Sequence, residues 1–113
     1  MTTIFTKILS GEISCSKVYE DDLVLAFHDV SPQAPVHVLI IPKIPLVNLN
    51  DVDQSHEAVL GRLLATARIV AEKTGVAADG YRVVMNNGEN GGQSVYHMHL
   101  HVLGGRRLSW PPG

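Results

Sequence analysis

Cysteine is nearly absent from this chain: there is one, Cys15, in 113 residues. An internal disulfide is therefore excluded, and the composition suits a reducing compartment. Cys15 stands in a polar Ser14-Cys15-Ser16 setting with no basic residue directly beside it, so it reads as structural or incidental rather than as a reactive thiol. Excess charge of either sign is missing too. Nine basic against eleven acidic side chains leave a formal charge of −2, which supplies no electrostatic footprint for nucleic acid or an acidic membrane surface. Any phosphate held here must be held locally. No apolar run approaches the roughly 18 residues of a membrane span, and Met1-Thr2-Thr3-Ile4-Phe5 lacks the basic start and apolar stretch of a secretory leader. A cytoplasmic protein is the expectation. Repeats and low-complexity tracts are also lacking, and the length fits one domain, residues 1–113, with a real core.

What the chain does have is periodicity. Ile4, Phe5, Ile8 and Leu9 recur at helical spacing after the cap candidates Thr2 and Thr3, with Gly11 placed to end the turn. Lys17 to Glu20 and Leu23 to Asp29 read as a hairpin around Asp21-Asp22. In the second run Leu23, Leu25 and Phe27 share one side and Val24 and Ala26 the other, which predicts a strand covered on both faces. Ser31-Pro32-Gln33-Ala34-Pro35 forms a loop, because neither proline can donate to a ladder. Val36 to Ile41 is β-branched and apolar except for His37, and Pro45 keeps the stretch after Pro42 irregular. From Ser55 to Thr74 the period becomes helical. Leu60, Leu63, Leu64, Ala67, Val70 and Ala71 form the stripe expected to pack on the sheet, with Asp53 or Ser55 capping the start and Gly75 the end. Ala58, Arg62, Ala65 and Ile69 lie opposite, a face suited to self-association.

Tyr81 to Asn86 is the next strand, and it runs into Asn87-Gly88-Glu89-Asn90-Gly91-Gly92-Gln93-Ser94. These glycines permit positive φ and a nest of N–H groups that could bind an anion. No Gly-Lys-Ser or Gly-Lys-Thr follows, so it is not a Walker A loop. The order of elements predicts an α+β domain, with an antiparallel sheet of about five strands, one long and one short helix, and both helices on one face. The tail, residues 104–113, has no regular period. Trp110 within it is costly to leave in water and is expected to dock.

The chemistry is concentrated in His97-Met98-His99-Leu100-His101, followed by Val102-Leu103. Side chains two apart in a strand point to the same face. Three imidazoles would stand side by side while Met98, Leu100 and Val102 cover the opposite, apolar face. A single strand histidine is usually a satisfied or half-exposed residue without a task. Three in register are costly if they charge, since like charges repel and lower one another's pKa. Two functional readings remain from the residues alone. Two or three neutral imidazoles could converge on zinc, or one imidazole could be a nucleophile that its neighbours orient, helping to bind the anion it attacks.

The run Gln93-Ser94-Val95-Tyr96-His97-Met98-His99-Leu100-His101-Val102-Leu103 resembles the signature of the histidine triad (HIT) superfamily. Ala26 to Pro35 is similar to the nucleoside-binding segment of its Hint branch, the histidine triad nucleotide-binding proteins. Gly104-Gly105-Arg106 and Trp110-Pro111-Pro112-Gly113 resemble that branch's C-terminus. The resemblance covers essentially the whole chain. It implies a homodimer that binds a purine nucleotide and hydrolyses nucleoside phosphoramidates, such as adenosine 5′-monophosphoramidate or AMP joined to a lysine amine.

In that reading His99 attacks the α-phosphorus and forms a covalent nucleotidyl-histidine that water resolves. Its other ring nitrogen would need an acceptor, a backbone carbonyl of the same strand. His101 contacts the phosphate with N–H groups of Gly92, Gln93 and Ser94, and His97 and His37 come together as supporting, proton-handling partners. Ser94 donates to the phosphate or the leaving nitrogen, Asp29 accepts from the ribose hydroxyls, and Asn86 holds the phosphate end. Ile8, Phe27, Val30 and Leu39 enclose the base, with His28 beside them. No metal and no cofactor takes part. One departure from relatives is Pro42-Lys43-Ile44-Pro45, where they often carry a histidine; this removes an outer relay and leaves the triad intact. His56 matches nothing in the motif and reads as a solvated residue at a helix start. Beside the hydrolase stand a zinc protein and a nucleotide-binding regulatory module whose hydrolysis is residual.

Overall fold

The computed structural model describes residues 2–113. Helix α1 (Ile4–Leu9) is followed by strands β1 (Lys17–Glu20), β2 (Val24–His28) and β3 (Val36–Pro42). Two single 3₁₀ turns (Leu49–Asp51 and Gln54–His56) lead into helix α2 (Glu57–Lys73), and strands β4 (Tyr81–Val84) and β5 (Leu100–Gly104) complete the chain. The strands form one antiparallel sheet in the order β1-β2-β3-β5-β4, the α+β arrangement expected.

Local chemistry accounts for the element ends. The Thr3 hydroxyl accepts from the N–H groups of Phe5 and Thr6, and Thr6 reaches back to the Thr3 N–H, a complete capping box. Helix α2 starts later than its periodicity suggests, because Asp53 caps the 3₁₀ turn in front of it. His56 closes that turn by accepting the Asp53 N–H at its Nδ1. His56 is thus a capping residue and not merely a solvated one. At the other end Gly75 takes φ +80°, a left-handed conformation open to glycine at no steric cost.

The two helices lie on opposite faces of the sheet, not on one. Val24, Ala26, Val38, Ile40, Leu100 and Val102 pack with Met98 against Val59, Leu63, Ala67 and Val70 of α2. Phe5 of α1 packs against Leu25, Phe27, Leu39 and Ile41 on the other side. The cause is the double-sided apolar patterning of β2 and β3: each face needs its own cover. The α2 stripe is also rotated. Val59 and Thr66 are buried, Thr66 satisfying its hydroxyl on the Arg62 carbonyl at 2.6 Å, while Leu64 stays 61% exposed. Leu60 and Leu64 therefore border an open apolar groove of about 330 Å³ with Leu49, Val83 and Met85, along edge strand β4. The face predicted for self-association is different, since Arg62 there is tied to Asp21 at 2.6 Å.

The histidine segment is only half strand. Pairing of β5 with β3 begins at Leu100, opposite Ile40. Pro42, at the end of β3, has no N–H to offer the preceding residues, and the Met98 N–H turns instead to the Leu46 carbonyl at 2.7 Å. β4 stops at Val84 for the same reason, having no partner beyond His101. Trp110 does not dock into the chain: it is 80% exposed, and the Arg82 guanidinium lies 6.0 Å from its ring centre. Among the described residues no helix is long and apolar enough to cross a membrane.

Candidate functional site

Residues opposite one another in a ladder share a face. The register aligns Phe27 with Leu39, Leu39 with His101 and His101 with Val84. The adjacent row aligns His37 with Leu103 and Leu103 with Arg82. All these side chains emerge on the α1 side of the sheet. There a cavity of about 520 Å³ opens between α1, the end of β2 and the segment before the histidines. Ile8, Phe27, His28, Asp29, Val30, Leu39, Ser94, His99 and His101 all line it. Phe5, Ile13, Cys15 and Val95 also contribute to the wall. Nothing in the sequence marks Ile13 or Cys15, which lie in an irregular connector that only the fold brings to the cavity.

His99 is buried, with its ring edge-to-face against Phe5 at 5.0 Å between centroids. Its Nδ1–H donates to the His97 carbonyl at 2.8 Å, the acceptor anticipated, which leaves Nε2 as the nitrogen with a free lone pair. His97 does not line the cavity. It is buried behind it, with Nε2–H donating to the Pro42 carbonyl at 2.9 Å. It holds the backbone that in turn holds His99.

His37 pairs with His101 and not with His97. Its Nε2 lies 2.9 Å from His101 Nδ1, and its Nδ1 accepts the backbone N–H of Gln33 at 3.0 Å. A nitrogen that accepts carries no proton, so His37 holds its proton on Nε2 and donates it to His101. His101 Nδ1 is then the acceptor, and its proton sits on Nε2. One backbone N–H thus sets the tautomer of two rings in series. Asp29 stands beside them, with Oδ2 3.5 Å from His37 Nε2 and Oδ1 accepting the Ser31 N–H at 2.8 Å. That turn leaves Val30 fully exposed at the cavity mouth.

Burial holds all four rings below the ordinary imidazole pKa. It is the main cause at His37, where Asp29 opposes it, and at His97, where the Pro42 carbonyl opposes it. It also leads at His99, opposed by the His97 carbonyl. At His101, burial with the neighbouring His99 and His37 lowers the pKa to about 4. The cluster is therefore neutral at pH 7.

The glycine-rich loop is folded onto itself, which departs from the expected nest. The N–H of Gly92 donates to Glu89 and that of Gln93 to Gly88. The Gln93 side chain is buried and fully used, accepting from Gly88 and Asn48 and donating to Val47 and Val95. Gly91 is needed for space, because a Cβ there would stand 2.5 Å from the Asn87 carbonyl oxygen. Ser94 alone carries this loop's polar groups to the cavity. Asn86 lies in a neighbouring cavity of about 390 Å³ that shares His101 with the first.

Asp29, His37 and His101 bring ligand-type atoms within 4.8 Å of one another, but they do not fit a zinc ion. A zinc-bound imidazole gives its lone pair to the metal and its other N–H to an acceptor. His37 has the reverse arrangement: Gln33 donates to Nδ1, so the Nε2 facing the cluster carries a proton. Nor do the alternating rings converge, since His97 Nε2 and His99 Nδ1 are committed to carbonyls.

Residues 10–108 match the HIT domain family. The purine nucleoside phosphoramidase of Escherichia coli K12 is 56% identical over 94% of this chain and 89% of its own length. The adenylylsulfatase HINT1 of Arabidopsis thaliana is 53% identical over 98% of this chain and 76% of its own. A 14 kDa zinc-binding protein of Brassica juncea is 53% identical over 98% and 99%. Among solved structures, the HIT family hydrolase of Legionella pneumophila superposes with a TM-score of 0.96 at 47% identity, covering 99% of this chain and 100% of that one.

Proposed function

The chain belongs to the HIT domain family, and from that premise we propose that it is a purine nucleoside phosphoramidate hydrolase working through a nucleotidyl-histidine. The observation that carries this reading is the unprotonated Nε2 of a neutral, buried His99 at a nucleoside-sized cavity. Phe27, Leu39, Ile8 and Val30 enclose the base, His28 stands at the rim, and Asp29 accepts from the ribose hydroxyls.

The His99 lone pair forms a bond to the α-phosphorus as the phosphorus–nitrogen bond of the substrate breaks. The departing nitrogen keeps the bonding pair and takes a proton from solvent water that the Ser94 hydroxyl relays, passing its own proton on and regaining one, so that the group leaves as an amine. Throughout, His99 Nδ1–H stays on the His97 carbonyl, which stabilises the positive ring of the adduct. His101 donates its Nε2–H to a phosphate oxygen, held in that tautomer by His37 and Gln33. Water then attacks the phosphorus, forming the new P–O bond as the P–Nε2 bond breaks and losing its proton to solvent, which releases the nucleotide and restores neutral His99. No metal enters any step. His99→Asn should lower kcat/KM for adenosine 5′-monophosphoramidate by about 10³-fold or more, with AMP binding retained by calorimetry. Turnover near wild type in that variant would end the assignment.

The same reading includes a homodimer. β4 is an unpaired sheet edge beside the open groove bordered by Leu60 and Leu64, and a second copy would cover both. A free thiol at Cys15 fits a cytoplasmic setting.

A further inference from the structure

The chain's single thiol opens into the nucleoside cavity. Cys15 lies in the connector between α1 and β1, and backbone hydrogen bonds tie that connector down on both sides of it. The Ile13 N–H donates to the Lys7 carbonyl of α1 at 3.2 Å, and the Ser16 carbonyl accepts the His28 N–H, at the end of β2, at 2.9 Å. Between these ties Cys15 packs half-buried on the apolar cluster of Phe5, Leu25, Phe27, Leu39 and Ile41. Phe27 and Leu39 are the residues that enclose the base, and Cys15 lines the cavity with them.

A half-buried cysteine is by itself no site, but this one shares its cavity with an independent sign of a ligand. His99 is 4% exposed, its Nε2 has no hydrogen-bond partner among the described residues, and its ring lines the cavity wall. A buried nitrogen left open in this way is satisfied by what the cavity holds. At about 520 Å³ the cavity takes one nucleoside-sized occupant. Because the connector is tied on both sides, a group attached to Sγ cannot be drawn clear by moving the backbone, and it takes up part of that volume.

We propose that Cys15 is a site of reversible modification by low-molecular-weight disulfides, and that the adduct and a nucleotide exclude one another. The inference rests on the nucleotide reading of the cavity and adds a control to it. The Cys15 thiol gives its proton to solvent, and Sγ attacks one sulfur of the disulfide. The new S–S bond forms as the old one breaks, and the departing thiolate keeps the bonding pair and takes up a proton. No other oxidant is consumed. A second thiol reverses the exchange and returns the free cysteine. In a reducing compartment the adduct accumulates when the disulfide pool rises, so nucleotide binding falls under oxidising conditions.

The test uses the whole protein and glutathione disulfide at about pH 8. Intact mass should show one glutathionyl group, and with a single cysteine in the sequence its place is fixed. AMP affinity by calorimetry should then fall about tenfold or more, the loss expected when the base no longer reaches its apolar wall, and dithiothreitol should restore it. AMP at about ten times its Kd should slow adduct formation about tenfold, since only the unliganded fraction reacts. Cys15→Ser, given the same treatment, should keep whatever AMP affinity it starts with. An adduct that leaves AMP affinity unchanged, or a modification rate that AMP does not slow, overturns the proposal and leaves the hydrolase standing. So does a folded protein that resists the disulfide when the urea-unfolded chain accepts it. If the untreated protein binds no AMP, the nucleotide reading fails and this inference with it. Should Cys15→Ser not fold, reversal by dithiothreitol in the wild type decides alone.

Discussion

Replacing His37 tests the tautomer series from Gln33 to His101. In the folded protein the Gln33 N–H fixes the proton of His37 on Nε2, and that proton fixes the lone pair of His101 on Nδ1. His37→Leu removes the donor. The His101 ring, buried and held well below its ordinary pKa, then keeps a single proton with nothing to hold it on Nε2. The alternative Nδ1–H tautomer presents a lone pair to the phosphate instead of a hydrogen. A hydrogen bond to a charged group is worth about 1.5–3 kcal/mol, so losing it from the transition state should lower kcat/KM by about 10- to 100-fold. KM should change less, because the phosphate carries less charge to stabilise in the ground state.

His37→Gln separates orientation from bulk. A glutamine amide can place its Nε2–H near the position of the imidazole Nε2–H and donate to His101, although it cannot also accept from Gln33 in the same way. It should recover part of the loss. The assay is kcat/KM for adenosine 5′-monophosphoramidate with wild type, His37→Leu and His37→Gln, alongside ¹⁵N shifts that report which His101 nitrogen is protonated. An unchanged His101 tautomer in His37→Leu, or a rate within twofold of wild type, refutes the reasoning.

Acid stability follows from the same burial. The folded pKa of His101 is about 4 against an unfolded value of about 6.5, so the unfolded chain binds the proton first. Stability is complete above about pH 6.5 and falls as the pH approaches 4, by on the order of 3 kcal/mol from His101 alone, with His37, His97 and His99 acting in the same direction. Urea midpoints measured between pH 7.5 and 4.5 should decline, and a flat series would contradict it. At the open groove, Leu64→Glu should convert a dimer to a monomer in light scattering, since a charge buried between two copies finds no partner; a monomeric wild type would remove the second copy from the reading.

The residues whose partners are near in sequence, or whose side chains repeat with a simple period, are the ones the sequence discloses. The alternation from His97 to Val102 survives even where the ladder does not, with Met98 and Leu100 in the α2 core and His99 on the cavity side. The carbonyl acceptor for His99 is two residues back in the chain. Gln93 is different. It falls within a recognisable motif, yet its side chain reaches Val47 and Asn48, more than forty positions away, and so acts as a brace. The partner of His37 is equally hidden, because only the β3–β5 register brings it to His101, 64 positions on. The α2 stripe is misjudged by a rotation about the helix axis, with Val59 and Thr66 buried in place of Leu60 and Leu64, because a leucine on an uncovered edge and a leucine in a core have the same periodicity.

Two chemical fates are open to a cluster of imidazoles, and a single N–H separates them here. With an acceptor at residue 33, His37 would carry its proton on Nδ1 and turn a lone pair toward Asp29 and His101, the arrangement a metal requires. With the Gln33 donor that is present, the lone pairs of His37 and His101 are both spent inside the protein, and the cavity-lining ring that keeps one for a substrate is His99, at Nε2. A cluster wired this way offers a phosphoryl group one nucleophile and one donor, His99 and His101, on adjacent positions of the same face, their ring centres 5.0 Å apart. That spacing spans a phosphate, with the phosphorus against one ring and an oxygen against the other, and it is why the neutral state enforced by burial serves the displacement.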